Sequence, residues 1–168
     1  MPPAKTTLVK TSGKPISSQE PNSSAKSKSA ASTKTIKYTD KSAGQPELIP
    51  IFDSIKVMLK PYVTGNLRER GQNSGIYNLV SEKFVEVKGR QRKEVYFASI
   101  IIQKGYVGFY YMPVYVNTDL KKVLKPELLK TLKGKSCFHI KKNDPIIMNQ
   151  IKESLQIGYE MYKQRGWV

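Results

Sequence analysis

The only cysteine and the only histidine of the chain stand two residues apart, in KGKSCFHIKK at 133–142. In a strand Cys137 and His139 point to one face, with Cα atoms roughly 7 Å apart. Such a pair has three readings: a nucleophile with its base, two ligands of a metal, or two side chains that merely pack. Nucleophilic use needs the imidazole on the thiol and a third group to orient the ring. The spacing is loose for that, and no nearby carboxylate supplies the third group. Lys135, Lys141 and Lys142 favour a thiolate, which keeps a reactive cysteine open. A zinc site takes about four ligands. The nearest carboxylates, Asp144 and Glu153, have no spacing that forces them to converge on the pair. The glycines match neither G-x-x-x-x-G-K-[ST] nor G-x-G-x-x-G. No catalytic residue, metal ligand or cofactor is therefore assigned, and a non-enzymatic role is the stronger reading.

A second group of residues points to binding. Tyr96, Phe97, Tyr106, Phe109, Tyr110, Tyr111 and Tyr115 fall on neighbouring strand segments among lysines and arginines. Aromatic sheets with basic rims stack the bases of single-stranded nucleic acid while cations follow the phosphates. The competing reading is that one aromatic face is core beneath helices. The expected ligand contacts are Tyr96, Phe109, Tyr111 and His139, with Lys141 at the rim. The basic turn at Arg90, Arg92 and Lys93 is the expected nucleic-acid contact. The RNP-type signature is incomplete in GYVGFYYMPV.

The elements that must position these residues follow from periodicity. In PELIPIFDSIKVMLKPY the apolar residues keep helical spacing between Pro46 and Pro61. VTGNLRERGQNSG reads as a loop. IYNLVSEKFVEVKG is a half-buried strand from Phe84 onward, followed by a polar turn, GRQRKE. VYFASIII and YVGFYYMPVYV are β-rich runs joined at Lys104-Gly105, so three strands form an antiparallel meander. On the third, Val107, Phe109 and Tyr111 share one face, and Tyr106, Gly108, Tyr110 and Met112 share the other. A helix from Pro126 to about Lys133 stops at Gly134. SCFHIK is the fourth strand. The last helix opens at Asp144-Pro145, buries Ile147, Ile151, Leu155, Gly158 and Tyr162, and ends near Gly166. Trp167 and Val168 are placed to fold back over its end. The order α-β-β-β-α-β-α predicts an α+β domain with an antiparallel sheet of about four strands and helices on one face.

Composition sets the outer limits. The formal net charge is +16, from 29 Lys+Arg against 13 Asp+Glu. Residues 1–45 hold eight lysines against Glu20 and Asp40, a net of +6, and residues 46–168 carry the remaining +10. That balance favours nucleic acid or acidic proteins as partners and disfavours hard cations. Residues 1–45 are Lys- and Ser-rich with few apolar side chains, which predicts a disordered tail ahead of a 46–168 domain. No run approaches a membrane span, no signal-peptide core precedes the domain, and a lone thiol suits a reducing compartment. A cytoplasmic monomer or weak dimer is expected.

From Pro46 onward the chain resembles the YdhG-like family of domains of unknown function, small bacterial α+β domains with a frataxin-like arrangement. ASIIIQKGYVGFYYMPVYVN, PELLKTLKGKSCFHIKKND and LQIGYEMYKQRGWV carry the resemblance. It implies the fold read from periodicity and, for some relatives, iron carriage on an acidic first helix. Here that helix has only Glu47 and Asp53 beside Lys56 and Lys60. Three expectations follow: an unidentified ligand or macromolecule on the aromatic, basic-rimmed sheet face, electrostatic nucleic-acid binding as the alternative, and a frataxin-like iron or metal carrier as the second.

Overall fold

The computed structural model describes residues 39–71 and 75–168. All of them belong to one compact unit, Lys37–Val168. The predicted tail lies outside the described residues except for 39–45. Those seven are tied to the domain, since Lys41 Nζ donates to Gln103 Oε1 at 2.8 Å and Gly105 N–H donates to Gln45 Oε1 at 2.6 Å. The compact unit therefore includes residues ahead of Pro46.

Helix α1 (Ile49–Leu59) has a short 3-10 turn at each end, with Pro46, Pro50 and Pro61 all in first turns, where a missing N–H costs nothing. Strands β1 (Leu67–Arg70), β2 (Ile76–Ser81), β3 (Val85–Val87), β4 (Arg90–Arg92), β5 (Val95–Gln103) and β6 (Tyr106–Tyr111) follow. Then come α2 (Met112–Val116), a 3-10 turn, α3 (Pro126–Lys130), β7 (Leu132–Lys133), β8 (Cys137–Ile140) and α4 (Pro145–Gln164). The main sheet has the order β1-β2-β5-β6-β8-β7 with every pairing antiparallel, and β3-β4 is a separate hairpin. The α+β class and the antiparallel sheet are as expected, but among the described residues the sheet has six strands rather than about four.

The extra strands have separate causes. LRER, expected as loop, is edge strand β1. Its one apolar residue, Leu67, is buried, and Glu69 accepts from Tyr77 Oη at 2.7 Å while pairing with Lys60 at 2.5 Å. IYNLVSEKFVEVKG breaks in two, because β2 ends at Ser81, and Phe84 stays 65 % exposed between β2 and β3. The expected turn GRQRKE supplies β4 instead. Leu132–Lys133, expected in a helix, pairs with β8 as a two-residue edge strand. In the opposite sense MPVYV, expected as strand, is helix α2. Pro113 has no N–H for a ladder, and its ring packs close to Gly158 of α4, where a Cβ would lie 2.7 Å from Pro113 Cγ.

The strand registers divide the sheet cleanly. Tyr77 and Leu79 face the core from β2, Ala98, Ile100 and Ile102 from β5, Val107, Phe109 and Tyr111 from β6, and Phe138 and Ile140 from β8. A bulge opposite Leu79/Val80 lets Phe97 and Ala98 both be buried. Helices α1 and α4 pack on this side. Tyr62, Tyr159 and Tyr162 surround Phe97, and Tyr111 Oη donates to the Ser154 carbonyl of α4. Trp167 folds back as expected, edge-on to Tyr162 at 5.0 Å, with its carbonyl accepting from Ser81 Oγ.

Candidate functional site

The register leaves a second set of side chains on the side away from α1 and α4. Asn78 of β2, Ser99, Ile101 and Gln103 of β5, Tyr106, Gly108 and Tyr110 of β6, and Cys137 and His139 of β8 lie opposite one another across the ladders. Their residues are mostly half-buried. Phe138 and Ile140 are fully buried, so the alternation of SCFHIK assigns Cys137 and His139 to this open face.

The thiol and imidazole do not work on each other. His139 lies flat on Tyr106, with ring centroids 3.8 Å apart and planes 14° from parallel. Cys137 stands directly across from Tyr110 in the ladder. Burial pushes the thiol above its ordinary range, and the Tyr110 hydroxyl offsets this only in part. A protonated thiol is a poor nucleophile. Burial, then the neighbouring Cys137, push the Tyr110 hydroxyl up to about 12. His139 is held below its ordinary value by burial and by the charges of Lys133 and Lys141, which keeps the ring neutral near pH 7. Among the described residues no three His, Cys, Asp or Glu side chains converge as metal ligands.

Gly108 explains how the rings lie. It is paired with His139 across the ladder, and a Cβ built on it would come 2.9 Å from Tyr110 Cε2. The missing side chain lets the Tyr110 ring lean over the strand rather than stand away from it. The centre of the face is then three planar groups, Tyr106 on His139 with Tyr110 beside them. Lys133 lies on the same face, opposite Cys137, and Lys141 follows β8 directly. Lys135 and Lys104 are exposed at neighbouring turns. Such a surface stacks flat rings at its centre and pairs with anions at its edge.

The expected contact residues divide between three places. His139 and Lys141 belong to the open face. Phe109 and Tyr111 are 0 % exposed on the opposite, helix-covered face and offer a ligand no surface, whereas Tyr106 and Tyr110 lie on the open face. The reason is composition: Val107, Phe109, Phe138 and Ile140 form an all-apolar face that helices must cover, whereas Cys137 and His139 do not. Tyr96, 40 % exposed, lies further along β5. It joins Arg92 and Lys93 in a separate concavity beside the β3-β4 hairpin, while Arg90 is exposed at that hairpin's turn. Tyr106, Gly108, Tyr110 and Lys133 are the contributors that the expected set left out. Choosing the less apolar of the two alternating faces in YVGFYY would have found the first three. No protein-family model, curated protein or solved structure matches this chain.

Proposed function

We propose that this chain is a small non-enzymatic binding domain that holds single-stranded nucleic acid on the sheet face away from α1 and α4. One observation carries the reading: the Tyr106–His139 stack and the ring of Tyr110 over Gly108 sit beside Lys133 and Lys141 on a face that neither α1 nor α4 covers. Planar rings accept any base, and the flanking cations follow the phosphates without reading sequence. The surplus of 16 positive charges supports the same partner, because phosphate neutralisation dominates such affinities. Tyr106 and Tyr110 do the stacking, His139 backs Tyr106, and Lys133 and Lys141 hold the backbone. The assignment to YdhG-like domains with a frataxin-like arrangement belongs to this proposal, as does a cytoplasmic location. The antiparallel sheet beneath α1 and α4 supports the first, and the single unpaired cysteine supports the second.

The test is fluorescence anisotropy of a labelled oligothymidine against the full chain at low salt. Tyr106→Ala or Tyr110→Ala should each weaken binding by about 1–3 kcal/mol, the usual worth of one stacked base. Lys133→Glu with Lys141→Glu should weaken it further and flatten its salt dependence. A wild-type chain that forms no complex at low salt, or tyrosine variants that bind as wild type, would overturn the proposal.

A further inference from the structure

The hairpin of β3 and β4 does more than close the gap between β2 and β5. With the start of β5 and with α2 it walls a cavity of about 570 Å³. That lies within the range of about 300–1,000 Å³ typical of small-molecule sites. Val87, Val95 and Met112 form its apolar lining, Tyr96 and Tyr115 contribute ring surfaces, and Arg92 and Lys93 contribute charge. The two cations make no ion pair among the described residues. Glu94, the one carboxylate in the lining, is bound by Arg70, which also holds Glu82 at 2.8 Å. With Arg92 and Lys93 against this one carboxylate, the charge of the lining is positive.

The walls are held in place. Lys88 and Gly89 join the paired residues Val87 and Arg90, with φ of 51° and 73°. Two successive positive φ values are the signature of a type I′ hairpin turn, and Lys88 is the only non-glycine residue that bears one among the described residues. Its ammonium sits 4.4 Å from the Tyr115 ring centroid. The tip of the hairpin is thus fastened to α2 by a cation–π contact, a compensation for the unfavourable backbone.

We infer that this cavity is a second binding site, for an anion that carries a flat ring, such as a nucleoside monophosphate. The two tyrosines and the Met112 thioether offer flat, polarisable surfaces to a ring, and Arg92 with Lys93 takes the phosphate. The site is independent of the sheet-face reading, because none of its lining residues belongs to the Tyr106–Tyr110–His139 group.

The test follows amide shifts of the full, isotopically labelled chain by NMR during titration with adenosine monophosphate, with adenosine and inorganic phosphate as comparators. The monophosphate should give saturable shifts at residues 91–96 and at Tyr115, and should bind at least several-fold more tightly than either comparator. Arg92→Ala with Lys93→Ala, both on exposed positions, should weaken it about tenfold or more, and Tyr106→Ala should leave it unchanged. No saturable shift at millimolar monophosphate would overturn the inference, as would equal affinity for adenosine or phosphate. Loss of binding in Tyr106→Ala with none in the double variant would move the ligand to the sheet face, overturning this site while leaving the other reading intact.

Discussion

At the scale of residues, the open face depends on groups that are unremarkable one at a time. His139 is informative because its environment is mixed, an aromatic partner on one side and two cations nearby. Its folded pKa lies below the ordinary value, so the unfolded chain binds a proton more readily than the native state does. The stability this neutral ring contributes is present above about pH 6.5 and is lost as pH falls through the folded value. A proton-NMR titration of the single histidine should give a pKa below about 6.5. Bound polyanion should move it upward, because phosphates favour the imidazolium. Gly158 tests the other side of the sheet. A Cβ there would meet Tyr111 Oη and Pro113 Cγ closer than van der Waals contact allows, at the point where Tyr111 bonds to the Ser154 carbonyl. Gly158→Ala should destabilise the domain by about 1–3 kcal/mol in urea unfolding despite its better helix propensity, because overpacking outweighs the gain.

At the scale of elements, the sequence spoke clearly where a local signal agreed with the tertiary role. Helix α4 is the clearest case. Asp144 Oδ1 accepts from Ile146 N–H at 2.8 Å, Pro145 fills the first position, and Ile151, Leu155 and Tyr162 are buried on one stripe. Asp144→Ala should cost about 1 kcal/mol, read as a lower Tm with little change in the final far-UV spectrum. Elements were missed where the environment decides. Strand β1 is one apolar residue among charges, and only the ladder with β2 and the Tyr77–Glu69–Lys60 contacts make it a strand. Helix α2 carries strand-forming residues that packing against α4 overrides. The same division holds for the site. The strand carrying Cys137 and His139, and the sharing of faces along YVGFYY, were legible from alternation. Which face the helices would cover was a tertiary fact, and it buries Phe109 and Tyr111 while leaving Tyr106 and Tyr110 on the other side. The cavity beside the hairpin was legible only as fragments, Tyr96 in one set and Arg92 with Lys93 in another, because nothing local signals that α2 folds back to meet them.

At the scale of the whole molecule, the two sides of the sheet differ in composition. One side bears the apolar residues that α1 and α4 require, and the other bears planar rings with lysines and neither of those helices. None of the helices among the described residues is long and apolar enough to cross a membrane. Charge adds a long-range component, so affinity for a polyanion should fall steeply as salt rises, with a slope set by the number of phosphates contacted. A fit of log Kd against log salt between low and physiological ionic strength checks this, and a flat line would remove the electrostatic part of the account. The most direct measurement is an amide-shift map of the isotopically labelled chain titrated with a short oligothymidine. Perturbations concentrated on β6 and β8, at Tyr106, Gly108, Tyr110, Cys137 and His139, are the predicted result. Perturbations confined to α1 and α4, or saturable shifts nowhere on the sheet, would contradict the claim that the face away from those helices is where this protein binds.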